Sequence, residues 1–353
     1  MSTVKATNLQ HASSASPNIV LDSSGNATMA GTMAMASSFL RNRIINGNMY
    51  ISQRAGATTV TVTAGTGVPT ASTGYPCVDR FFVYSTGANV TAAQVSGSGS
   101  NRNLLQVTGA ASVTAVGIGQ RIEALNSYDL AGQTCTLAVD LANSLLTTVT
   151  WTASYATTAD TFGTIGTPTK TQIATGTFTV TSTLTRYSVN ISVPAAATTG
   201  IEILFTVGAQ TSGTFQVGNV QLEVGSVATP FERRMYGQEL QLAQRYFEKS
   251  YDYGTVPGTA GATTTNGSMK ATQTGAPYQS TWQVQFKVTK RTAPTFTVYN
   301  PVTGGSGTCR DDSGNNDTAG TTSIGESNAM PFDASGSSAG FNHYIQWTAA
   351  AEL

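Results

Sequence analysis

Apolar and polar residues alternate along most of the chain, the pattern of β-strands with one buried face. The alternation is clearest in five segments separated by Gly-, Thr- and Ser-rich turns, 135–141, 149–155, 187–193, 201–207 and 282–288. In residues 215–224 the alternation slips by one position at Gly218 and Asn219. The slip predicts a β-bulge, because the strand would otherwise turn its apolar face to water. We therefore predict a mainly β fold.

A single segment has helical periodicity. Residues 236–250 contain good helix formers and no Pro, and they place Leu240, Ala243 and Phe247 on one face. A second apolar stripe lies beside the first. A helix that is apolar on two stripes packs on more than one side, which suits a linking helix between domains or against copies of itself on a symmetry axis.

These patterns divide the chain into four units. Residues 1–40 have too few apolar positions for a core, and residues 41–235 hold most of the strands and predict a jelly-roll-like β-sandwich. Residues 236–251 are the linking helix, and residues 252–353 predict a smaller C-terminal β-sandwich with polar loops. The chain has no exact repeat, which disfavours a parallel β-helix or a propeller. Because residues 1–40 cannot bury themselves, a homo-oligomer is expected.

Charge excludes several classes of partner. The chain of 353 residues has 18 Lys and Arg against 18 Asp and Glu, and only 10% of its residues are charged. A neutral chain has no basic stripe for nucleic acid or for an anionic membrane. With 40% hydrophobic residues, it is also unlike a disordered chain.

Compartment and redox state can also be inferred. No apolar run is long enough for a membrane helix, and residues 1–5 lack the apolar core of a signal peptide, so synthesis in a cytoplasm is expected. Cys77, Cys135 and Cys309 are widely spaced and odd in number, which predicts buried free thiols.

Catalytic and cofactor motifs are sparse. The two histidines, His11 and His343, lie in different units, and we predict neither a catalytic triad nor a metal site, since no Cys or His spacing is that of a zinc motif. Gly117 and Gly119 form only a fragment of a dinucleotide fingerprint and are interpreted as turn residues, so no cofactor is predicted.

Carboxylates leave one kind of catalysis open. Glycoside hydrolysis needs only two acids about 5–10 Å apart. Asp79, Glu123, Asp129 and Asp140 have no motif joining them, and we interpret them as structural carboxylates.

The densest polar cluster, residues 311–317, has alternating oxygen ligands like a calcium loop, but its Gly is misplaced and no Glu follows at position twelve. We interpret it as a solvated loop suited to sugar hydroxyls, with nearby tyrosines covering apolar sugar faces. The receptor-binding candidates are Tyr251, Tyr253, Tyr278, Asp311, Asp312, Asn315, Asn316 and Asp317.

Short segments in the same order resemble tail fibre proteins of bacteriophages. They are NRIINGNMYISQR at 42–54, DRF at 79–81, GQRIE at 119–123, LAGQTCTL at 130–137, VQLEVGSVATPFE at 220–232, EL at 239–240, QRYF at 244–247 and KRTAPT at 290–295. SPNIVLDSSGNAT at 16–28 is similar to virion-proximal stalk sequences. Ala243 stands where many relatives have Cys, a small apolar exchange.

The resemblance implies a homotrimeric fibre in the virion tail, made in the host bacterial cytoplasm. Residues 1–40 would attach to the tail or baseplate, the sandwich would be like a carbohydrate-binding module, and the C-terminal head would meet the host surface. Leu240, Ala243 and Phe247 would pack the helices on the threefold axis.

Three functions follow as hypotheses. The first is a non-enzymatic adhesin for host cell-surface polysaccharide, with weak sites made effective by avidity. The second is a structural head or baseplate fibre without receptor contact. The third is a polysaccharide-degrading tailspike, which the chain's length and lack of repeats disfavour.

Overall fold

The computed structural model describes residues 6–24, 27–29, 40–263, 267–272, 280–333 and 342–353. The chain divides into two compact units, Met1–Leu40 and Arg41–Leu353. In the first unit, an antiparallel sheet consists of β1 (Asn8–Leu9), β2 (Ile19–Leu21) and β3 (Ala27–Met29). The second unit is also built mainly from strands, so the prediction of a mainly β fold is confirmed.

Two antiparallel sheets form a sandwich in the first part of the second unit. Its strands are β4 (Val60–Val62), β5 (Phe82–Thr86), β6 (Val90–Ser96), β7 (Asn103–Thr108), β8 (Ala115–Ile122), β9 (Thr134–Asn143), β10 (Thr148–Ala156), β11 (Lys170–Thr179), β12 (Thr185–Ser192), β13 (Ile201–Val207) and β14 (Thr214–Val224). One sheet has the order β11-β10-β13-β8-β5 and the other β12-β9-β14-β7-β6-β4. Short 3₁₀ helices at Ala124–Asn126 and Tyr128–Leu130 lie between β8 and β9.

The two sheets share one core, which the alternating residues build. Leu137 and Val217 of the six-stranded sheet and Trp151 and Ile203 of the five-stranded sheet belong to the same buried cluster. Four of the five alternating segments are long strands, as predicted, whereas in residues 282–288 only Val284–Gln285 is a strand.

The predicted β-bulge is confirmed. The pairing of β14 with β9 shifts register between Gly218 and Gln221, and Asn219 has a φ of 43°. The bulge keeps Val217 and Leu222 on the core side of the strand, where both are buried.

The interpretation of Gly117 and Gly119 as turn residues is wrong. Both lie inside β8, directly opposite Tyr84 and Phe82 of β5. A Cβ at Gly117 would lie 2.1 Å from the Tyr84 ring, and one at Gly119 would lie 2.4 Å from the Phe82 ring. Glycine is needed here because the aromatic rings lie over the strand, filling the space of its side chains.

The helix is shorter than predicted. α1 spans Tyr236–Gln244, and the chain then enters β15 (Phe247–Lys249), which pairs with the last strand. Residues 246–249 are all buried. Four consecutive buried residues leave no solvent face for a surface helix, so pairing with a strand overrides the helical periodicity.

The predicted packing face for a threefold axis is therefore not one helical stripe. Leu240 is half-buried and Ala243 is fully buried on α1. Phe247 instead lies on β15, and the Arg54 guanidinium stacks over its ring, 3.9 Å from the ring centre. Ala243 and Phe247 are already covered within one chain, so neither offers its side chain to a second copy.

A second sheet region follows β15 in the same compact unit. Its remaining strands are β16 (Met269–Thr272), β17 (Val284–Gln285), β18 (Thr295–Tyr299), β19 (Thr308–Asp311), β20 (Asn316–Ile324), β21 (Asn328–Asp333) and β22 (Asn342–Ala350). The sheet has the order β15-β22-β19-β20-β21-β17, and β16 and β18 also pair with β22. Trp347 stacks on Phe296 and packs against Phe286 at a tilted angle.

Four of the segments that resemble tail fibres, 42–54, 79–81, 119–123 and 244–247, are joined by polar contacts. Gln53 donates from Nε2 to Asp79 Oδ2 at 2.6 Å and to the Phe247 carbonyl at 2.8 Å. Gln120 exchanges two 2.8 Å hydrogen bonds with the main chain of Ile45. Arg245 donates twice to Glu123, at 2.6 and 3.0 Å. The polar residues of these segments thus fix the loops around the sandwich.

Cys77, Cys135 and Cys309 are free and buried, as predicted. Burial raises the pKa of Cys135 to about 11, so its thiol stays protonated at neutral pH. Among the described residues, no helix is both long and apolar enough to cross a membrane.

Candidate functional site

The structure gives the predicted tyrosines mainly structural contacts. Tyr251 is 4% exposed, packs against Tyr299 and accepts a hydrogen bond from Gly258 N, and burial raises its pKa to about 12. Tyr253 is partly exposed, and its hydroxyl accepts from Ser52 N at 2.8 Å. Tyr278 lies outside the described residues.

The polar cluster at 311–317 is the turn of a β-hairpin. Asp311 ends β19 and accepts hydrogen bonds from Ser313 Oγ at 2.6 Å and Asn315 N at 2.6 Å. Burial acts to raise the pKa of Asp311, but these hydrogen bonds outweigh it and lower the pKa below its usual value. Asn316 accepts from Arg310 at 2.8 Å, and Asp312 accepts from Asn342. Asp311 therefore organises the turn rather than facing solvent.

Asp317, the last of the predicted site residues, lies with Asp311 on the less exposed side of this hairpin, and their carboxylates are within 4.8 Å of each other. It lies on β20, is half-buried, and its Oδ2 is 3.3 Å from His343 Nε2. The structure thus separates Asp317 and Asp311 from the exposed Asp312, Asn315 and Asn316.

A groove of about 720 Å³ lies instead on the outer face of the six-stranded sheet. We call it the Asp140 groove. It is lined by Ser98, Gly99, Ser100, Asn101, Asp140, Leu184, Arg186, Asn219, Ala228, Thr229, Pro230, Phe231 and Arg233. The turn between β6 and β7 forms one wall, and residues 228–233 form another. Arg233 donates to the Ser100 carbonyl and so joins the two walls.

Asp140 is the polar centre of the groove. It faces outward on β9 because its neighbours Val139 and Leu141 face the core. Its Oδ2 accepts from Asn101 Nδ2 at 2.7 Å and from Asn219 Nδ2 at 2.9 Å, and its Oδ1 accepts from Arg186 at 3.2 Å. Asp140 and Asn219 are nearly fully buried, whereas the Arg186 side chain is 33% exposed.

The β-bulge shapes this centre. A Cβ at Gly218 would lie 2.7 Å from Asn101 Oδ1 and 2.4 Å from Leu104, so only glycine lets the Asn101 turn approach the sheet. The register shift brings Asn219 beside Asp140. The Oδ1 atoms of Asn101 and Asn219 are buried and accept no hydrogen bond within the part of the chain that is described.

The walls add apolar surface and positive charge. Phe231 is half-buried, and the Arg233 guanidinium lies 5.8 Å from its ring centre. Leu184 and Pro230 also line the groove. One carboxylate and two guanidinium groups give the described lining a net positive charge.

Sequence reasoning selected Asp140 only as a structural carboxylate and did not select Asn101, Arg186, Phe231 or Arg233. The sequence feature that could have located the groove is the phase slip at Gly218 and Asn219. β-Bulges often change the direction of side chains next to functional sites. The pairing of Asp140 with Arg186 follows only from the β9–β12 register.

No protein family model and no curated protein sequence matches the chain. Among solved structures it is similar to a CBM4 structure, with 12% identity over 51% of this chain and 98% of the other and a TM-score of 0.34. It is also similar to a putative sugar-binding protein from Bacteroides thetaiotaomicron, with 12% identity over 52% of this chain and 100% of the other and a TM-score of 0.33.

A third similarity is to the enzymatically active domain of bacteriophage CBA120 tailspike protein 4, with 17% identity and a TM-score of 0.32. It covers 52% of this chain and 22% of the other. All three TM-scores are below 0.5, so the function proposed below rests on the side chains of the Asp140 groove.

Proposed function

We propose that the chain is a non-enzymatic carbohydrate-binding protein that holds a polysaccharide in the Asp140 groove. The observation that carries this proposal is the set of hydrogen-bonding groups around Asp140. Sugar hydroxyls both donate and accept hydrogen bonds. The exposed Ser98 and Ser100 offer hydroxyls that donate and accept, Arg186 offers donors, and the half-buried Phe231 offers a ring for the apolar face of a sugar.

The charges of the groove favour a particular ligand class. Arg186 and Arg233 outnumber the one lining carboxylate, Asp140, which favours neutral or acidic polysaccharides over basic ones. Hydrolysis of a glycoside needs two carboxylates. The single acid that lines the described groove is already held by three donors, which supports binding rather than cleavage.

The biological setting that we propose is a bacteriophage tail fibre that binds host cell-surface polysaccharide. The polar contacts among four of the tail-fibre-like segments support it, because these separate short matches then belong to one packed structure. In this proposal three copies assemble, residues 1–40 attach to the tail or baseplate, and the assembled fibre is part of the virion. Three grooves would raise a weak affinity through avidity.

Phe231→Ala is expected to weaken polysaccharide binding by the full chain by roughly 30-fold, because truncating a central aromatic anchor costs about 2 kcal/mol. Binding is measured by biolayer interferometry on a panel of purified bacterial capsular polysaccharides and lipopolysaccharide O-chains. The matched control is Val227→Ala, in the same segment but 69% exposed and outside the groove lining.

Two outcomes contradict the proposed site. Equal binding by the Phe231→Ala and Val227→Ala chains places the ligand elsewhere, and no binding by any chain favours a structural fibre. Release of reducing ends from a bound polysaccharide would instead show a tailspike enzyme. Electron microscopy of labelled virions tests the tail location separately.

A further inference from the structure

A buried cluster of potential metal ligands lies in the C-terminal sheet, apart from the Asp140 groove. His343 Nε2 is 3.3 Å from Asp317 Oδ2 and 3.3 Å from Asp333 Oδ2. Ligand atoms of Cys309, Asp317 and Asp333 all lie within 4.8 Å of one another, and so do those of Asp311, Asp317 and His343, so Asp317 belongs to both sets. His343, Asp333 and Cys309 are fully buried.

Strand register creates this cluster. Cys309 on β19 is directly opposite Asp317 on β20, and His343 on β22 is directly opposite Asp311 on β19. Asp333 on β21 pairs with the residue two positions beyond Asp317, so the two carboxylates lie on one face. The four ligands therefore come from four neighbouring strands in the order β22-β19-β20-β21.

Ser280 fixes the imidazole from the other side. Its Oγ is 2.8 Å from His343 Nδ1. Serine, histidine and aspartate are also the members of a catalytic triad, but Ser280 is 1% exposed and cannot meet a substrate. In the tautomer that metal-ligating histidines adopt, Nδ1–H donates to this hydroxyl and the Nε2 lone pair faces the carboxylates.

We propose that a Zn²⁺ site is centred on Asp317, where the two sets overlap, with His343, Asp333 and Cys309 as the other ligands. Two nitrogen or oxygen ligands at ~2.0–2.1 Å from a tetrahedral Zn²⁺ stand about 3.3–3.4 Å apart. The His343–Asp317 and His343–Asp333 separations equal this spacing. They are longer than a charge-assisted hydrogen bond, which is about 2.7–2.9 Å.

Charge and ligand type favour the same ion. The carboxylates of Asp317 and Asp333 and the thiol of Cys309 stand close together in the sheet. A bound cation offsets the repulsion between the two carboxylates and stabilises a thiolate. A set of imidazole, carboxylate and thiolate ligands suits Zn²⁺ better than Ca²⁺ or Mg²⁺, which prefer oxygen alone.

A site of this kind would clamp the C-terminal sheet. Each ligand belongs to a different strand, so the ion ties together segments that are distant in sequence. Ion binding that requires the folded sheet then adds directly to its stability.

The test titrates ZnCl₂ into the full chain after treatment with EDTA and dialysis, by isothermal titration calorimetry. We expect one Zn²⁺ per chain, a raised unfolding midpoint, and tetrahedral and thiolate absorption bands when Co²⁺ replaces Zn²⁺. Asp317→Asn is expected to weaken Zn²⁺ binding by more than 100-fold, since loss of even an outer-shell partner costs about 10- to 100-fold.

Asp312→Asn is the matched control, because Asp312 is exposed and lies outside the cluster. It should bind Zn²⁺ like the unmodified chain. If Asp317→Asn fails to fold, the loss of the Co²⁺–thiolate band in Cys309→Ser decides the same question. Absence of stoichiometric Zn²⁺ binding, or unchanged binding in Asp317→Asn, overturns the proposal.

Discussion

Glu352→Gln is expected to lower the free energy of unfolding by about 3–5 kcal/mol, the usual cost of breaking a buried ion pair. Glu352 is 1% exposed and pairs with two arginines, Arg54 at 3.0 Å and the fully buried Arg80. The substitution keeps the shape of the side chain but leaves both guanidinium groups without their common carboxylate. Urea unfolding, followed by tryptophan fluorescence, measures the change.

Arg80 depends on this carboxylate more than Arg54 does. Arg80 stacks on Tyr246, 3.5 Å from the ring centre, and donates to the Arg121 carbonyl. Arg54 stacks on Phe247 and also lies 3.7 Å from Asp79 Oδ1. Burial works against the charge of Arg80, and the Glu352 carboxylate offsets it by raising the pKa of the guanidinium. Because a guanidinium is effectively always protonated in proteins, Arg80 stays charged after the carboxylate is removed.

Glu326→Gln provides the same chemical change at an exposed position. We expect it to alter the free energy of unfolding by no more than about 0.5 kcal/mol. A loss below 1 kcal/mol in Glu352→Gln would mean that the ion pair contributes little and that packing alone joins the last residues to the sandwich.

This network shows what the sequence could predict and what it could not. Alternation located β9, β10, β12 and β13, because each strand has one face in a shared core. Local structure of this kind depends on residues that are close together in the sequence. The pairing of Glu352 with Arg80 spans 272 positions and depends on the way the whole chain folds back.

The same reason limited prediction of the sites. The bulge at Gly218 was readable from one strand, but the Asp140 groove also needs Asn101 and Arg186 from two other segments. Tyr251 lies among Gly- and Pro-rich residues, as binding residues often do, yet it is buried against Tyr299. Residue type and spacing alone do not distinguish a binding residue from a buried packing residue. The strand register is needed as well.

The end of the helix shows competition between local and tertiary preferences. Residues 245–250 are suited to a helix, but Phe247–Lys249 pair with β22 instead. Lys290 stabilises this transition. Its Nζ donates to the carbonyl of Gln244, the last residue of α1, at 2.7 Å, and to the Glu248 carboxylate. A lysine at this position satisfies a terminal helix carbonyl and the charge of the following strand together.

Lys290→Met is therefore expected to lower the free energy of unfolding by about 3–5 kcal/mol, since it leaves Glu248 buried without its cation. Both side chains are at most 1% exposed. Lys290→Met combined with Glu248→Gln should recover at least half of the loss, because the double variant has no unpaired buried charge. Chemical denaturation of the four chains gives the coupling free energy.

Lys287→Met is the matched control, because Lys287 is exposed and only its main-chain N–H donates to Glu248, at 3.0 Å. We expect its free energy of unfolding to stay within about 0.5 kcal/mol of the unmodified chain. If the losses of Lys290→Met and Glu248→Gln simply add, the two side chains act independently. The junction between α1 and β15 would then be held by β22 pairing and by burial of Phe247, and the ion pair would have no part in ending the helix.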